Sequence, residues 1–289
     1  MSDSNAVAMT LRAKSADGTL IGYTVRGSGP ALVMVQGAMG TSYNYRDLAE
    51  MLSQEFTVVT PDRRGRGMSP SIFNSDHRLE REVEDVQAVV EATTARYIFG
   101  LSSGAIIALQ SAKEIDPIEK AVIYEPPLHF KSWMDKERIK KFGAEVNQGD
   151  LLQAFTTAGE LVQLAPSLVQ SLPRALRVQA TRAFMRTLEG GNGYAQLNEL
   201  IPAMLYDFAV VFEMDHQIDS FTGMEKSVLL LGGTKIPQYL KDALARLAEI
   251  LPNSRRVTFP GLDHSAPWNA ERGGAPATLA PEILKFLRA

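Results

Sequence analysis

Tyr97-Ile98-Phe99-Gly100-Leu101-Ser102-Ser103-Gly104-Ala105-Ile106-Ile107-Ala108-Leu109 sets a serine between two glycines, with an apolar strand pattern before it and a helical pattern after it. A serine hydroxyl is a poor nucleophile on a flexible surface and a good one on a sharp strand-to-helix turn beside a base. Glycines at 100 and 104 remove the Cβ atoms that would clash in such a turn, and the new helix aims free N–H groups at the reacting centre. Chance supplies a G-x-S-x-G match in roughly one chain in ten of this length, at a glycine frequency of about 7%. The flanks therefore decide its meaning. If the match were accidental, Ser102 would be an ordinary helix N-cap.

Outward from this turn, short apolar runs alternate with helical patterns, which predicts a doubly wound, mostly parallel α/β sheet with helices on both faces. Ala16-Asp17-Gly18-Thr19 divides Thr10–Val25 into a hairpin. Strand patterns follow at Ala31–Gln36, Phe56–Thr60, Tyr97–Leu101, Lys120–Tyr124, Ser227–Leu231 and Arg255–Phe259. Helical patterns fall at Tyr43–Leu52, Glu80–Ala92, Ala105–Lys113, Pro237–Leu251 and Ala277–Leu287. In the fourth, Leu240, Leu244, Leu247 and Leu251 share one face, which predicts a core contact. From 128 to 205 no strand pattern occurs, and helices are predicted at Lys136–Glu145, Leu151–Leu161, Ala175–Leu188 and Ala195–Leu205. Pro166, Pro173, Pro202 and Gly190-Gly191-Asn192-Gly193 punctuate them. The expected organisation is a core of residues 1–127 and 206–289, with 128–205 inserted as a helical cap over the carboxyl ends of the strands, where open α/β sheets hold their ligand crevice.

Composition narrows the function classes. The chain has 289 residues, 45% hydrophobic and 22% charged, which suits a soluble protein with a sizeable core. Its net charge of −3 gives no reason to expect nucleic acid as a partner. The absence of cysteine excludes disulfides, thiolate catalysis and cysteine metal sites, and fits a reducing compartment. Met1-Ser2-Asp3-Ser4-Asn5 does not read as a secretory signal, and no apolar run approaches the roughly 20 residues of a membrane span. A cytoplasmic location without membrane attachment is the expectation.

Four segments fall at the carboxyl ends of predicted strands. In Val35-Gln36-Gly37-Ala38-Met39-Gly40, Gly37 permits close approach, so that the N–H groups of Ala38 and Ser103 could form an oxyanion hole; alone, the segment also reads as an ordinary glycine turn. Pro61-Asp62-Arg63-Arg64-Gly65-Arg66-Gly67-Met68-Ser69 lacks the phosphate-loop pattern and is read as a loop fixed by its Asp and Arg residues, with no catalytic role. The serine turn supplies Ser102. The fourth, Phe259-Pro260-Gly261-Leu262-Asp263-His264, brings a histidine just past the last strand. His264 is the candidate base, whereas His77, His129 and His216 are read as structural or exposed.

These pieces together resemble the α/β-hydrolase superfamily over nearly the whole length. The Gln36-Gly37 loop stands where the family commonly has His-Gly, and the Asp62–Ser69 segment, the Gly100–Gly104 elbow and Gly261-Leu262-Asp263-His264 follow in the family's order. The resemblance implies the α/β-hydrolase fold, with about eight strands, an inserted helical cap and a Ser–acid–His triad. The family's acid usually follows the strand that here is Val228–Gly233, but Thr234-Lys235-Ile236-Pro237-Gln238 contains no carboxylate. Some members, including haloalkane dehalogenase-like enzymes and zearalenone-type lactonases, carry it after the preceding strand, which here ends Ile123-Tyr124-Glu125. Glu125 is therefore the expected third member, ahead of Asp263, Asp219 and Asp215. A serine at 102, rather than the aspartate of the dehalogenases, points to acyl transfer. Gln36 is expected to keep the Ala38 donor while changing polarity beside the acyl pocket. Phe155, Leu161, Leu164, Phe184, Met185, Met204 and Leu205 suggest a small, mostly apolar substrate, although they would serve equally to pack the cap. The expectation is a serine hydrolase of a carboxylic ester or lactone, needing no cofactor or metal. The alternative is a ligand receptor or non-hydrolytic lyase on the same fold.

Overall fold

Alternation along the strands sorts their side chains to two faces. From Ala31 to Val35, Leu32 and Met34 enter one buried cluster and Val33 and Val35 the other; from Tyr97 to Leu101, Ile98 opposes Tyr97, Phe99 and Leu101. A strand buried on both faces needs no polar side, which is why these runs read as continuously apolar. The computed structural model describes residues 9–128, 135–165, 167–188 and 193–289. Met1–Asn5, His129, Pro166 and Gly190-Gly191-Asn192 lie outside them.

The described residues form one eight-stranded sheet, in the order β1-β2-β4-β3-β5-β6-β7-β8. The strands are β1 (Met9–Lys14), β2 (Leu20–Arg26), β3 (Ala31–Val35), β4 (Thr57–Pro61), β5 (Tyr97–Leu101), β6 (Lys120–Tyr124), β7 (Ser227–Gly233) and β8 (Ser254–Phe259). β1 and β2 are the predicted hairpin, closed by the Asp17 carboxylate accepting the Thr19 N–H at 2.9 Å. β2 meets β4 antiparallel, and every later pairing is parallel. The carboxyl ends of β3, β5, β6, β7 and β8 therefore lie along one edge.

Ten helices are described: α1 (Arg46–Leu52), α2 (Leu79–Thr93), α3 (Ser103–Glu114), α4 (Lys136–Asn147), α5 (Leu151–Val162), α6 (Ser167–Gln170), α7 (Arg174–Leu188), α8 (Leu197–Glu213), α9 (Gln238–Ile250) and α10 (Pro276–Arg288). α1 and α10 cover one face of the sheet; α2, α3 and α9 cover the other. The predicted leucine face of α9 is buried throughout. Between β6 and β7 only helices occur among the described residues, α4 to α8. The helix expected to stop at Leu205 continues to Glu213, because Tyr206–Val211 is almost wholly buried and so has no polar face to betray its period.

Candidate active site

Ser102 closes β5 with φ +57° and ψ −127°, a conformation that costs a non-glycine residue about 1–3 kcal/mol. Its surroundings impose that turn. The Ser102 N–H donates to the Tyr124 carbonyl on β6 at 3.0 Å, while α3 starts at the next residue. A Cβ on Gly100 would lie 2.3 Å from the Gly104 oxygen, and one on Gly104 would lie 2.4 Å from the Gln36 oxygen. Neither glycine has a positive φ; each is needed for space. A Cβ on Gly37 would lie 2.9 Å from the Ser102 Cβ, so the loop after β3 rests directly against the serine.

Glu125 and His264 are brought together. Glu125 follows β6 with φ +49°, its N–H donating to the Leu231 oxygen at 3.2 Å. Its carboxylate is fully buried, and each oxygen has a partner. Oε1 accepts the Gly233 N–H at 2.7 Å, and Oε2 lies 2.6 Å from His264 Nδ1. The glycines ending β7 make room for its neighbours: a Cβ on Gly232 would lie 2.6 Å from Leu244 Cδ1 on α9, and one on Gly233 2.0 Å from the Leu262 oxygen in the loop that carries His264. The His264 loop is tied down by the Tyr124 hydroxyl, which donates to the Asp263 carbonyl at 2.8 Å. Burial, with the Glu125 charge beside it, holds the Tyr124 phenol well above its usual range, so it stays a donor.

Of the other carboxylates, Asp263 and Asp219 are engaged elsewhere. Asp263 accepts both the N–H and the hydroxyl of Ser265, at 2.9 and 2.7 Å. Asp219 pairs with Arg246 at 2.9 Å, whereas Asp215 lies 4.0 Å from His216 and its Oδ1 has no hydrogen-bond partner. His77 is buried against Phe73 and Tyr206, its Nε2 3.3 Å from Glu82.

The Gln36-Gly37-Ala38 loop is held from several sides. Gln36 is fully buried and its amide donates to the carbonyls of Met34, at 3.2 Å, and Pro61. Its amide nitrogen thus ties β3 to β4, because the strand ends offer carbonyls within its reach, while its Oε1 is buried without a hydrogen-bond partner. The Gly37 N–H donates to the Tyr45 hydroxyl at 3.3 Å, and burial raises that phenol, keeping it neutral. Ala38 and Met39 follow, partly buried against the core. Ser103 heads α3, where a helix leaves its first N–H groups without intrahelical partners.

Arg63 and Arg66 extend this scaffold. Arg63 donates to Gln36 O at 3.2 Å and forms a two-pronged pair with Glu82; Arg66 donates to Gly37 O at 3.1 Å. Arg64 pairs with Asp85. The loop-fixing role expected of the segment is thus realised with buried charges. The sequence reading missed Asp207 of α8, which pairs with both Arg63 and Arg66. The sequence marks it only as a lone carboxylate within an apolar helical run, and its arginine partners are set by the fold. Among the described residues no cluster of His, Cys, Asp or Glu is grouped to hold a metal ion, and no helix is long and apolar enough to cross a membrane.

The sequence model of the alpha/beta hydrolase family matches residues 32–277. The chain belongs to this family. Among similar alpha/beta hydrolases, one solved structure from Sphaerobacter thermophilus superposes with a TM-score of 0.78 at 27% identity, covering 96% of this chain and 100% of that one. A 2-(acetamidomethylene)succinate hydrolase of Mesorhizobium japonicum is 24% identical over 242 residues, 83% of each protein. An uncharacterized hydrolase of Bacillus subtilis, YraK, is 34% identical over 116 residues, which span 38% of this chain and 42% of that protein. These relatives bear hydrolase names. As for the residues expected to make an apolar cap, Leu161 and Met204 are core, Phe155, Met185 and Leu205 pack against it, and Leu164 and Phe184 are exposed.

Proposed function

We propose that this alpha/beta hydrolase is a serine hydrolase cleaving a carboxylic ester or lactone through an acyl-enzyme. The observation that carries the reading is the 2.6 Å contact between His264 Nδ1 and the buried Glu125 carboxylate, on the strand adjacent to Ser102. A carboxylate at Nδ1 fixes the tautomer with Nε2 unprotonated and stabilises the imidazolium. Nε2 then takes the proton as Ser102 Oγ attacks the acyl carbon. Charge on the carbonyl oxygen is received by the N–H groups of Ala38 and Ser103, donors fixed before reaction and needing no reorganisation. His264 returns the proton to the leaving alcohol, and water, activated by the same base, releases the acid.

The helical segment α4–α8 is proposed as the cap, and its apolar side chains, Phe155, Met185 and Leu205 among them, favour a small, mostly apolar substrate. A fluorophosphonate probe tests the assignment: the protein should label, and Ser102→Ala should abolish labelling. No labelling of the unmodified protein, or labelling that survives Ser102→Ala, would sink it and favour a receptor or lyase. A panel of p-nitrophenyl esters and lactones of increasing ring size then ranks substrates.

A further inference from the structure

Asp207 lies midway along α8 among Ala203, Met204, Phe208, Val210 and Val211, and is itself buried. A carboxylate in such surroundings needs strong partners. Oδ1 accepts the Ser103 hydroxyl at 2.5 Å and Arg63 Nη1 at 2.5 Å; Oδ2 accepts Arg66 Nη2 at 2.9 Å. Burial alone would raise its pKa, yet the charges of Arg66 and Arg63 hold it below the usual carboxylate range. The same guanidiniums reach onward, since Arg66 donates to Gly37 O and Arg63 to Gln36 O.

Gly37 O and the Ala38 N–H belong to one peptide unit. Because that unit is planar and trans, its C=O and N–H point in opposite directions. Clamping the oxygen with Arg66 therefore aims the Ala38 N–H, and the cation polarises it as a donor. Asp207 also holds Ser103, the residue that supplies the second N–H.

We infer that Asp207 is a positioning residue for the oxyanion hole, fixing Ser103 directly and the Gly37–Ala38 peptide through Arg66. It rests on the reading of Ala38 and Ser103 as the oxyanion donors. Because Asp207 comes from the helices between β6 and β7, seating of α8 becomes a condition for acyl transfer. A purely structural Asp207, neutralising two buried arginines, would affect folding alone.

Two variants separate these roles. Asp207→Asn removes the charge at nearly constant shape; Asp207→Leu with Arg66→Met replaces one of its two ion pairs by apolar groups, an exchange often neutral for stability, while Arg63 keeps Glu82. Each is compared with the unmodified protein for folded fraction, p-nitrophenyl ester hydrolysis and affinity for an aryl boronic acid, whose tetrahedral serine adduct places an oxygen in the hole. A positioning role predicts kcat lower by about 30-fold or more in both, KM within about threefold, and boronic acid affinity reduced in step with kcat. Turnover within about threefold of unmodified protein per folded molecule, in either variant, would overturn it. If the unmodified protein does not label with fluorophosphonate at Ser102, the hydrolase reading itself fails and takes this inference with it.

Discussion

Glu125 occupies a backbone conformation that a residue with a side chain rarely adopts, and both of its carboxylate oxygens are engaged. This makes Glu125→Gln informative. If the glutamine oxygen keeps the Gly233 N–H, its NH2 group faces His264 Nδ1 and demands an acceptor there. The imidazole must then carry its proton on Nε2, where the proposed mechanism needs a lone pair. Turnover is expected to fall about 10³–10⁴-fold with the melting temperature little changed. Turnover within tenfold would assign the acid to another carboxylate. Glu125 was legible in the sequence because a carboxylate at one strand end stood against its absence at the next. Asp207 was not, since a single acidic residue in a helix is ordinarily a solvent contact, and only the fold shows which arginines it meets.

At the scale of elements, the join of β5 to α3 depends on side chains that are missing. Gly104→Ala would drive a methyl group into the Val35 and Gln36 carbonyls, at 2.5 and 2.4 Å, with only backbone to yield. It should destabilise the fold by about 3 kcal/mol, measured by urea unfolding, and displace the loop carrying Ala38. Gly159 gives the opposite case: it lies inside α5, and a Cβ there meets nothing within 4 Å. Gly159→Ala is expected to stabilise by about 0.5–1 kcal/mol, through helix propensity and a less flexible unfolded chain. A destabilising Gly159→Ala or a neutral Gly104→Ala would show that these spaces are misjudged. The same physics explains what could be read beforehand. β5 and β6 are bounded as the sequence predicts, because apolar runs end abruptly at Ser102 and Glu125. β7 runs two residues further, through Gly232 and Gly233, because pairing with Thr258 and Phe259 continues where side chains give no signal. α8 outruns its predicted end at Leu205 because amphipathic period vanishes once a helix is buried on several sides.

The whole molecule carries an unusual amount of charge inside. Arg63, Glu82, Arg66 and Asp207 are all buried, joining β4's loop, α2 and α8 behind the serine. Burial pushes the Glu82 and Asp207 carboxyls up, but the arginines win and hold both below their ordinary range. A carboxylate depressed in the folded state adds stability that is present above its unfolded value of about 4 and lost as pH falls through the folded one. The stability deficit of Asp207→Asn should therefore be largest above about pH 5 and shrink as pH drops below about 4. Thermal melts from pH 7 to 3 measure it, and a deficit constant with pH would argue against the depressed carboxyl.

The strand order also has a consequence during synthesis. β6 pairs with β7, yet all the helices of the inserted segment are made between them. On a ribosome adding about 5–20 residues per second, the roughly 100 intervening residues take about 5–20 seconds to appear. Through that interval the edge formed by Ala121, Val122, Ile123 and Tyr124, wholly covered in the finished protein, has no neighbour. An open apolar edge invites pairing with another nascent chain. The insertion that delivers Asp207 to the serine turn thus also sets how long each new molecule stays vulnerable to aggregation.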